Sequence, residues 1–270
     1  MTATLAAIHI FPLKSAAPLT LETADVHARG LAHDRRWMVI DESGKFLTGR
    51  QQSRLTLIHA RTNGSGLELA ASGMPNLHVD APSRGTRVDT AVWGAAVTPL
   101  LADETAHRWI SVFLGAPHRL VHMDDYCVRR LKAKYDGRYG LDSDEVSLAD
   151  GFPLLLISQG ALDLLNSKLT HPVSMLRFRP NLIVTGTAPH AEDAWKRIRI
   201  GACEFEVAKP CTRCVFTTVD FETGIRDPGG EPLRTLTKYR RSPDGVTFGQ
   251  NLISRKLGTL RVGDSVEMMA

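Results

Sequence analysis

Cysteine is scarce in this chain, with four in 270 residues. That is too few for the disulfide framework of a small secreted domain, and a reducing, cytoplasmic setting is expected. Long apolar runs are missing as well. No stretch approaches the roughly 20 residues that a membrane-crossing helix needs. The opening "MTATLAAIHIFPLKS" has no basic region ahead of its apolar part, alternates, and meets Pro12 early, so it reads as a strand rather than a signal peptide. Strong charge of one sign is also absent. A net charge of +4 and a pI near 9.0 are too weak to argue for nucleic acid and better suit a small anionic ligand. There is no internal repeat and no low-complexity tract.

What is present is an ordinary globular balance, 43% hydrophobic and 23% charged, enough to build a core for one large domain or two small ones. The first third reads as strands. "RRWMVIDESGKFLTGR" forms a hairpin about Asp41–Gly44, "LTLIHARTNGSGLELAA" a second about Thr62–Gly66, and "TRVDTAVWGAAVTPLL" adds alternating pattern. The period then changes. "ADETAHRWISVFLGAP" reads as a helix capped by Asp103, with Trp109, Ile110 and Phe113 on one face and Gly115 at its end. "HRLVHM" returns to strand. From about Asp124 to Asp144 the chain is polar and without period, a linker or surface loop, and a boundary is placed at its start, giving domains 1–122 and 123–270. Beyond it come a buried strand "FPLLLIS", a helix "SQGALDLLNSKL" capped by Ser158, strands "NLIVTG", "KRIRIG", "EFEVAK" and "VFTTVD", a short helix "EPLRTLTKYRR" with Pro232 in its first turn, and closing strands "TFGQNLIS" and "TLRVGDSVEMM". Many short strands with few helices point to barrel or sandwich architecture rather than a doubly wound sheet.

Two of the four cysteines stand together in "KPCTRCVFTTVD", as Cys211 and Cys214. A zinc knuckle needs two further ligands, and neither Cys127 nor Cys203 is paired and no HxxxH unit occurs. A thioredoxin-like dithiol opens a helix, whereas the β-branched "VFTTV" favours strand. The spacing C-x4-C-x2-C of a plant-type iron–sulfur protein is absent. Two readings remain: packed, inert thiols, or a single thiolate holding a thiophilic metal whose other ligands come from a cofactor. In the second, Arg213 beside Cys214 favours the thiolate. Such a cofactor needs an anion cradle, and basic residues do stand at strand ends in "FPLKS" (Lys14, Ser15), "HDRRWMV" (Asp34, Arg35, Arg36) and "FRPN" (Arg179, Asn181).

The ordered series "FPLKS", "DRRWMV", "ADGFPLLLIS", "FRPN", "AEDAW", "PCTRCVFTTVD", "LTKYR", "FGQNL" and "VGDSVE" resembles the MOSC family whose members carry a β-barrel N-terminal domain. It is similar in particular to the mitochondrial amidoxime-reducing components and their bacterial counterparts that confer resistance to N-hydroxylated bases. The resemblance runs from about Ala7 to Met268 and implies an α+β, β-rich fold: a β-barrel-like N-terminal domain followed by a β-barrel MOSC domain with a few helices.

The resemblance further implies a molybdenum–molybdopterin cofactor with Cys214 as the metal ligand and the catalytic thiolate, and Cys211 as a packed neighbour. It assigns Lys14, Ser15, Arg35, Asp150, Arg179, Asn181, Thr212 and Arg213 to cofactor binding. Arg and Lys suit a phosphate, Asp150 and Asn181 the ring edges, and amides at the Ser15 and Thr212 turns could complete the cradle. Trp37 and Trp195 are candidates to line the pocket, with a place in the core the commoner fate of such aromatics. The implied activity is cytoplasmic reduction of amidoximes, hydroxylamines and N-hydroxylated bases, a detoxification. The chain has no cysteine quartet for an iron–sulfur cluster, so electrons are expected from a separate ferredoxin-like, cytochrome or flavin protein, with no nucleic-acid or membrane partner. The alternative is a protein that binds or carries the cofactor, or handles its sulfur, without reducing a substrate. The segment "RRLKAKYDGRYG" could close over the pocket mouth, receive an acidic redox partner, or be a solvated loop.

Overall fold

A computed structural model describes residues 2–64, 66–131 and 139–269. Its described residues form an α+β, strand-rich fold with three α-helices, α1 (Glu104–Leu114), α2 (Gln159–Asn166) and α3 (Leu233–Tyr239). The largest sheet has nine strands. In order it runs Leu19–Leu21, Thr4–Ile10, Leu182–Thr185, Leu154–Ser158, Gly245–Lys256, Cys203–Thr212, Arg197–Ile200 and Val266–Met269, with Arg241–Ser242 paired off this path to Gly245–Lys256. It takes strands from both sides of residue 122: Thr4–Ile10 pairs antiparallel with Leu182–Thr185.

Leu154–Ser158 and Leu182–Thr185 pair in parallel and α2 lies between them in sequence, the crossover that a parallel pair requires. "LLLIS" is a continuous apolar run because both of its faces are buried. Leu154 and Leu156 enter the main core with Ile8, Leu182, Phe205 and Leu252. Leu155 and Ile157 enter a second core with Ala161, Leu162 and Leu165 of α2. A third core lies under α1, whose Trp109, Ile110 and Phe113 meet Trp37, Val39 and Leu120. The ends of α1 follow from its sequence: the Asp103 carboxylate accepts from Ala106 N at 2.7 Å, and Gly115 closes it at φ 77°.

Two expectations are corrected. "VFTTVD" is not a strand; Val215–Thr218 is a turn of 3-10 helix. The β-branched threonines support it by bonding backwards, Thr217 Oγ1 donating to Cys214 O at 2.9 Å and Thr218 Oγ1 to Val215 O at 2.7 Å. The segment 124–144 is also no simple surface loop. Cys127, Arg129 and Leu131 in its first half are buried. The stretch proposed to close over the pocket centres on residues 132–138, which lie outside the described residues.

Candidate functional site

All nine residues selected from the sequence line one cleft of about 920 Å³, counting the solvent at its mouth. They arrive from the turn after Thr4–Ile10 (Lys14, Ser15), the turn before Trp37–Asp41 (Arg35), the approach to Leu154–Ser158 (Asp150), the bend after Met175–Phe178 (Arg179, Asn181) and the end of Cys203–Thr212 (Thr212, Arg213, Cys214). Trp37 and Trp195 do not line it; the first lies in the core under α1 and the second against the main core.

The backbone is bent to form this wall. Ser15, Arg35 and Arg179 have φ of 68°, 48° and 57°, the left-handed region that L-residues rarely occupy. Three such residues on one cleft wall mark strain held in place by surrounding bonds, a common feature of binding sites. Asp34 supplies part of that hold. It is buried, and its carboxylate accepts from Phe11 N at 2.8 Å and from Arg35 Nη1 at 2.6 Å. Asn181, 1% exposed, supplies more: its Oδ1 accepts from Arg35 Nη1 at 3.0 Å and Leu155 N at 3.2 Å, and its Nδ2 donates to His9 O at 3.0 Å. Asn181 therefore ties three segments together and fixes a guanidinium.

Arg35 also donates to Arg179 O at 3.2 Å, and both guanidiniums lie against the Phe11 ring, at 4.3 and 4.0 Å from its centroid. Arg179 Nη1 donates to Ala16 O at 2.6 Å, while its buried Nη2 has no partner among the described residues. Burial, then the neighbouring Arg35 charge, pushes the Arg179 guanidinium down to about 9. An anion at Nη2 would relieve both effects.

Lys14 is buried and donates to Leu148 O at 2.8 Å and to the Asp150 carboxylate at 2.5 Å. Burial drives its amine down to about 8, against the pull of Asp150. The surrounding cleft wall opposes ionisation of Asp150 even though its side chain is 57% exposed, but the Lys14 charge and hydrogen bond, then Arg50, hold the carboxyl below its ordinary range. The backbone around Asp150 is anchored by Arg129, 2% exposed, which donates to Ser147 O at 2.8 Å, Ala149 O at 2.5 Å and Asp150 O at 3.3 Å.

The cysteines are unequal. Cys214 is a free, half-buried thiol on the cleft, at the N-terminus of the Val215–Thr218 turn. Cys211 also borders the cleft but packs on the core of Leu155, Phe178 and Phe248, and burial pushes its thiol up. Between them, Thr212 pairs with Thr247 in the sheet. Arg213 is an internal clamp: Nε and Nη2 donate to Phe248 O at 2.8 and 2.5 Å, and Nη1 to Phe178 O at 2.9 Å. Burial pushes its guanidinium down. Among the described residues no three His, Cys, Asp or Glu side chains converge as a metal site.

Sequence reasoning missed Arg50, Arg177 and Phe216, which also line the cleft. Phe216 stands two residues after Cys214, inside the segment misread as strand, and Arg177 two residues before Arg179. Arg50 follows Gly49 in "TGRQQ", a stretch with no motif signal. Gly49 is dictated by packing, since a Cβ there would lie 2.1 Å from the Phe216 ring.

Two family profiles match the chain, the MOSC N-terminal beta barrel domain over residues 2–117 and the MOSC domain over residues 143–267. Mitochondrial amidoxime-reducing component 1 of Mus musculus is 34% identical over 98% of this chain and 82% of that protein. The chain belongs to this MOSC family. The Homo sapiens component 1 is 32% identical over 98% of this chain and 83% of its own length, and Rattus norvegicus component 2 is 35% identical over 98% and 83%. The strand-rich α+β architecture agrees with the membership. No helix of the described residues is long and apolar enough to cross a membrane.

Proposed function

We propose that this chain is a molybdenum–pterin-dependent reductase of N-hydroxylated compounds, among them amidoximes and hydroxylamines, supplied with electrons by a separate protein. The observation that carries the reading is the meeting, on one cleft, of the Cys214 thiol with two guanidiniums that have no acidic partner within 4 Å among the described residues. Arg35 is paired with Asp34, Lys14 and Arg50 share Asp150, and Arg177 has Asp220; Arg179 and Arg213 have none. The relatives' printed name, amidoxime-reducing component, supplies the substrate class.

The donor set fits a phosphate-bearing pterin. The orphaned, buried Arg179 Nη2 calls for an acceptor, and a phosphate is an acceptor that guanidiniums hold well. Arg179, Arg35 and Lys14 would hold the anionic group, Asp150 a ring donor, and Cys214 the metal through soft sulfur. When bound, such a cofactor supplies two-electron oxygen-atom transfer, a chemistry outside the reach of side chains alone. The chain's own work is positional. Asp34 and Asn181 fix Arg35, and Arg129 fixes the Asp150 backbone. Phe178 and Phe216 give the cleft apolar wall and limit water. Overall, an N–OH group, two electrons and two protons give N–H and water.

The test is turnover of benzamidoxime by the molybdenum-loaded protein with an artificial electron donor. Reduction to benzamidine supports the reading. Fully loaded protein that turns over no amidoxime or hydroxylamine would remove it in favour of a carrier or sulfur-handling role.

A further inference from the structure

Among the described cations of the cleft, Arg50 alone has a charged head that makes no hydrogen bond to any described residue. Lys14, Arg35, Arg177, Arg179 and Arg213 each donate at least one. Arg50 Nη2 lies 3.6 Å from Asp150 Oδ2, an ion pair without a hydrogen bond. It is also the outermost of the ion-paired cations on the cleft: its side chain is 35% exposed, against 5% for Lys14, 12% for Arg35 and 13% for Arg177. It thus sits at the mouth with its donors open.

The group is nonetheless held in place. Its carbon centre lies 4.3 Å from the centroid of the Trp93 ring, which fixes the plane of the guanidinium. Its backbone carbonyl accepts from Arg226 Nη2 at 2.9 Å, and the preceding Gly49 N donates to Ser15 Oγ at 3.0 Å. Trp93 is strained into this role. It is 38% exposed and has φ 52°, at the two-residue turn between Thr90–Val92 and Ala95–Val97, where Asn or Gly is the usual choice. Phe46 meets its ring edge-on at 5.0 Å. Asp150 is already engaged by Lys14 at 2.5 Å, so one carboxylate serves two cations and the mouth keeps a positive excess.

We propose that Arg50, backed by Trp93, is a specificity-determining residue that receives a carboxylate carried by the N-hydroxylated substrate. A planar fork with free N–H edges and an aromatic backing is a bidentate receptor for a carboxylate. A substrate anion comes and goes through solvent, which suits the partly exposed Arg50. A resident cofactor phosphate suits the buried Arg179. The inference rests on the proposed reductase reading and extends it to the preferred substrate class.

The experiment compares benzamidoxime with 4-carboxybenzamidoxime on molybdenum-loaded wild type, Arg50→Gln and Arg50→Lys, by steady-state kinetics, binding calorimetry and metal analysis. Wild type is expected to favour the carboxylated compound by about tenfold in kcat/KM, mainly through KM. Arg50→Gln is expected to erase that ratio at wild-type molybdenum content, and Arg50→Lys to keep part of it. Trp93→Leu, which removes the backing ring and no charge, lowers the same ratio less and covers the case in which Arg50→Gln folds poorly. An equal ratio in wild type and Arg50→Gln, or no preference in wild type, overturns the proposal. Loss of molybdenum from Arg50→Gln also overturns it, assigning Arg50 to the cofactor instead. If neither compound is reduced, the reductase reading fails on its own, and the calorimetric preference of loaded protein for the carboxylated compound still decides the role of Arg50.

Discussion

Asn181 Oδ1 accepts a hydrogen bond from Arg35 Nη1 at 3.0 Å, joining residues 146 positions apart. The same oxygen accepts from Leu155 N, and the amide nitrogen donates to His9 O. Asn181→Ala therefore leaves buried groups unsatisfied and releases Arg35. A loss of about 1–3 kcal/mol in apo-protein stability is expected from denaturant unfolding, together with weaker cofactor retention. Stability equal to wild type would show that this bond positions nothing.

The two cysteines are expected to separate by stability. Cys211→Ser puts a hydroxyl against the apolar cluster that holds Leu155, Phe178 and Phe248 and is expected to lower the melting temperature, at a cost of about 1 kcal/mol. Cys214→Ser changes a half-buried group at the cleft and is expected to melt as wild type in the apo form. Equal unfolding of both variants would mean that the pair is structural.

Asp150 links stability to pH. Its carboxyl is held below the ordinary value of 3.8, mainly by Lys14 acting against burial. A depressed carboxyl gives stability that is complete above the unfolded value and is lost as pH falls through the folded one. The side chain is 57% exposed, so solvent screening limits the effect. Asp150→Asn is expected to be about 1 kcal/mol less stable than wild type at pH 7. The gap should begin to close below pH 3.8. Urea unfolding at pH 7 and pH 3 measures it, and a gap that widens toward acid would contradict the sign.

Gly49→Ala forces a methyl into the Phe216 ring, whose nearest atom lies 2.1 Å from the ideal Cβ position. The ring must move, and with it the cleft wall two residues from Cys214. A cost of about 1–3 kcal/mol in thermal unfolding is expected, and Gly49→Ala, Phe216→Ala should recover part of it. No recovery in the double variant would place the strain elsewhere.

The strands, α1 with its Asp103 cap and α2 with its Ser158 cap were legible because their apolar periods and end signals are local. The nine cleft residues were legible only through ordered motifs, since nothing local says that Lys14 and Asp150 meet across 136 positions. "VFTTVD" misled because threonine favours strand by shape yet can bond its own backbone, as Thr217 and Thr218 do. Arg129 was hidden in a charge-rich stretch that looked solvated, and only the tertiary fold surrounds it with carbonyls. Asn181 was selected as a ligand for a ring edge, whereas the fold gives its amide to Arg35, Leu155 and His9.

The assignment of Cys214 is tested most directly by elemental analysis of wild type, Cys211→Ser and Cys214→Ser purified from a molybdenum-competent host. Molybdenum is expected at stoichiometric level in wild type, at a comparable level in Cys211→Ser, and strongly reduced in Cys214→Ser of unchanged apo stability. Wild-type protein holding zinc or no metal, or Cys214→Ser retaining full molybdenum, would contradict Cys214 as the ligand of a molybdenum–pterin cofactor.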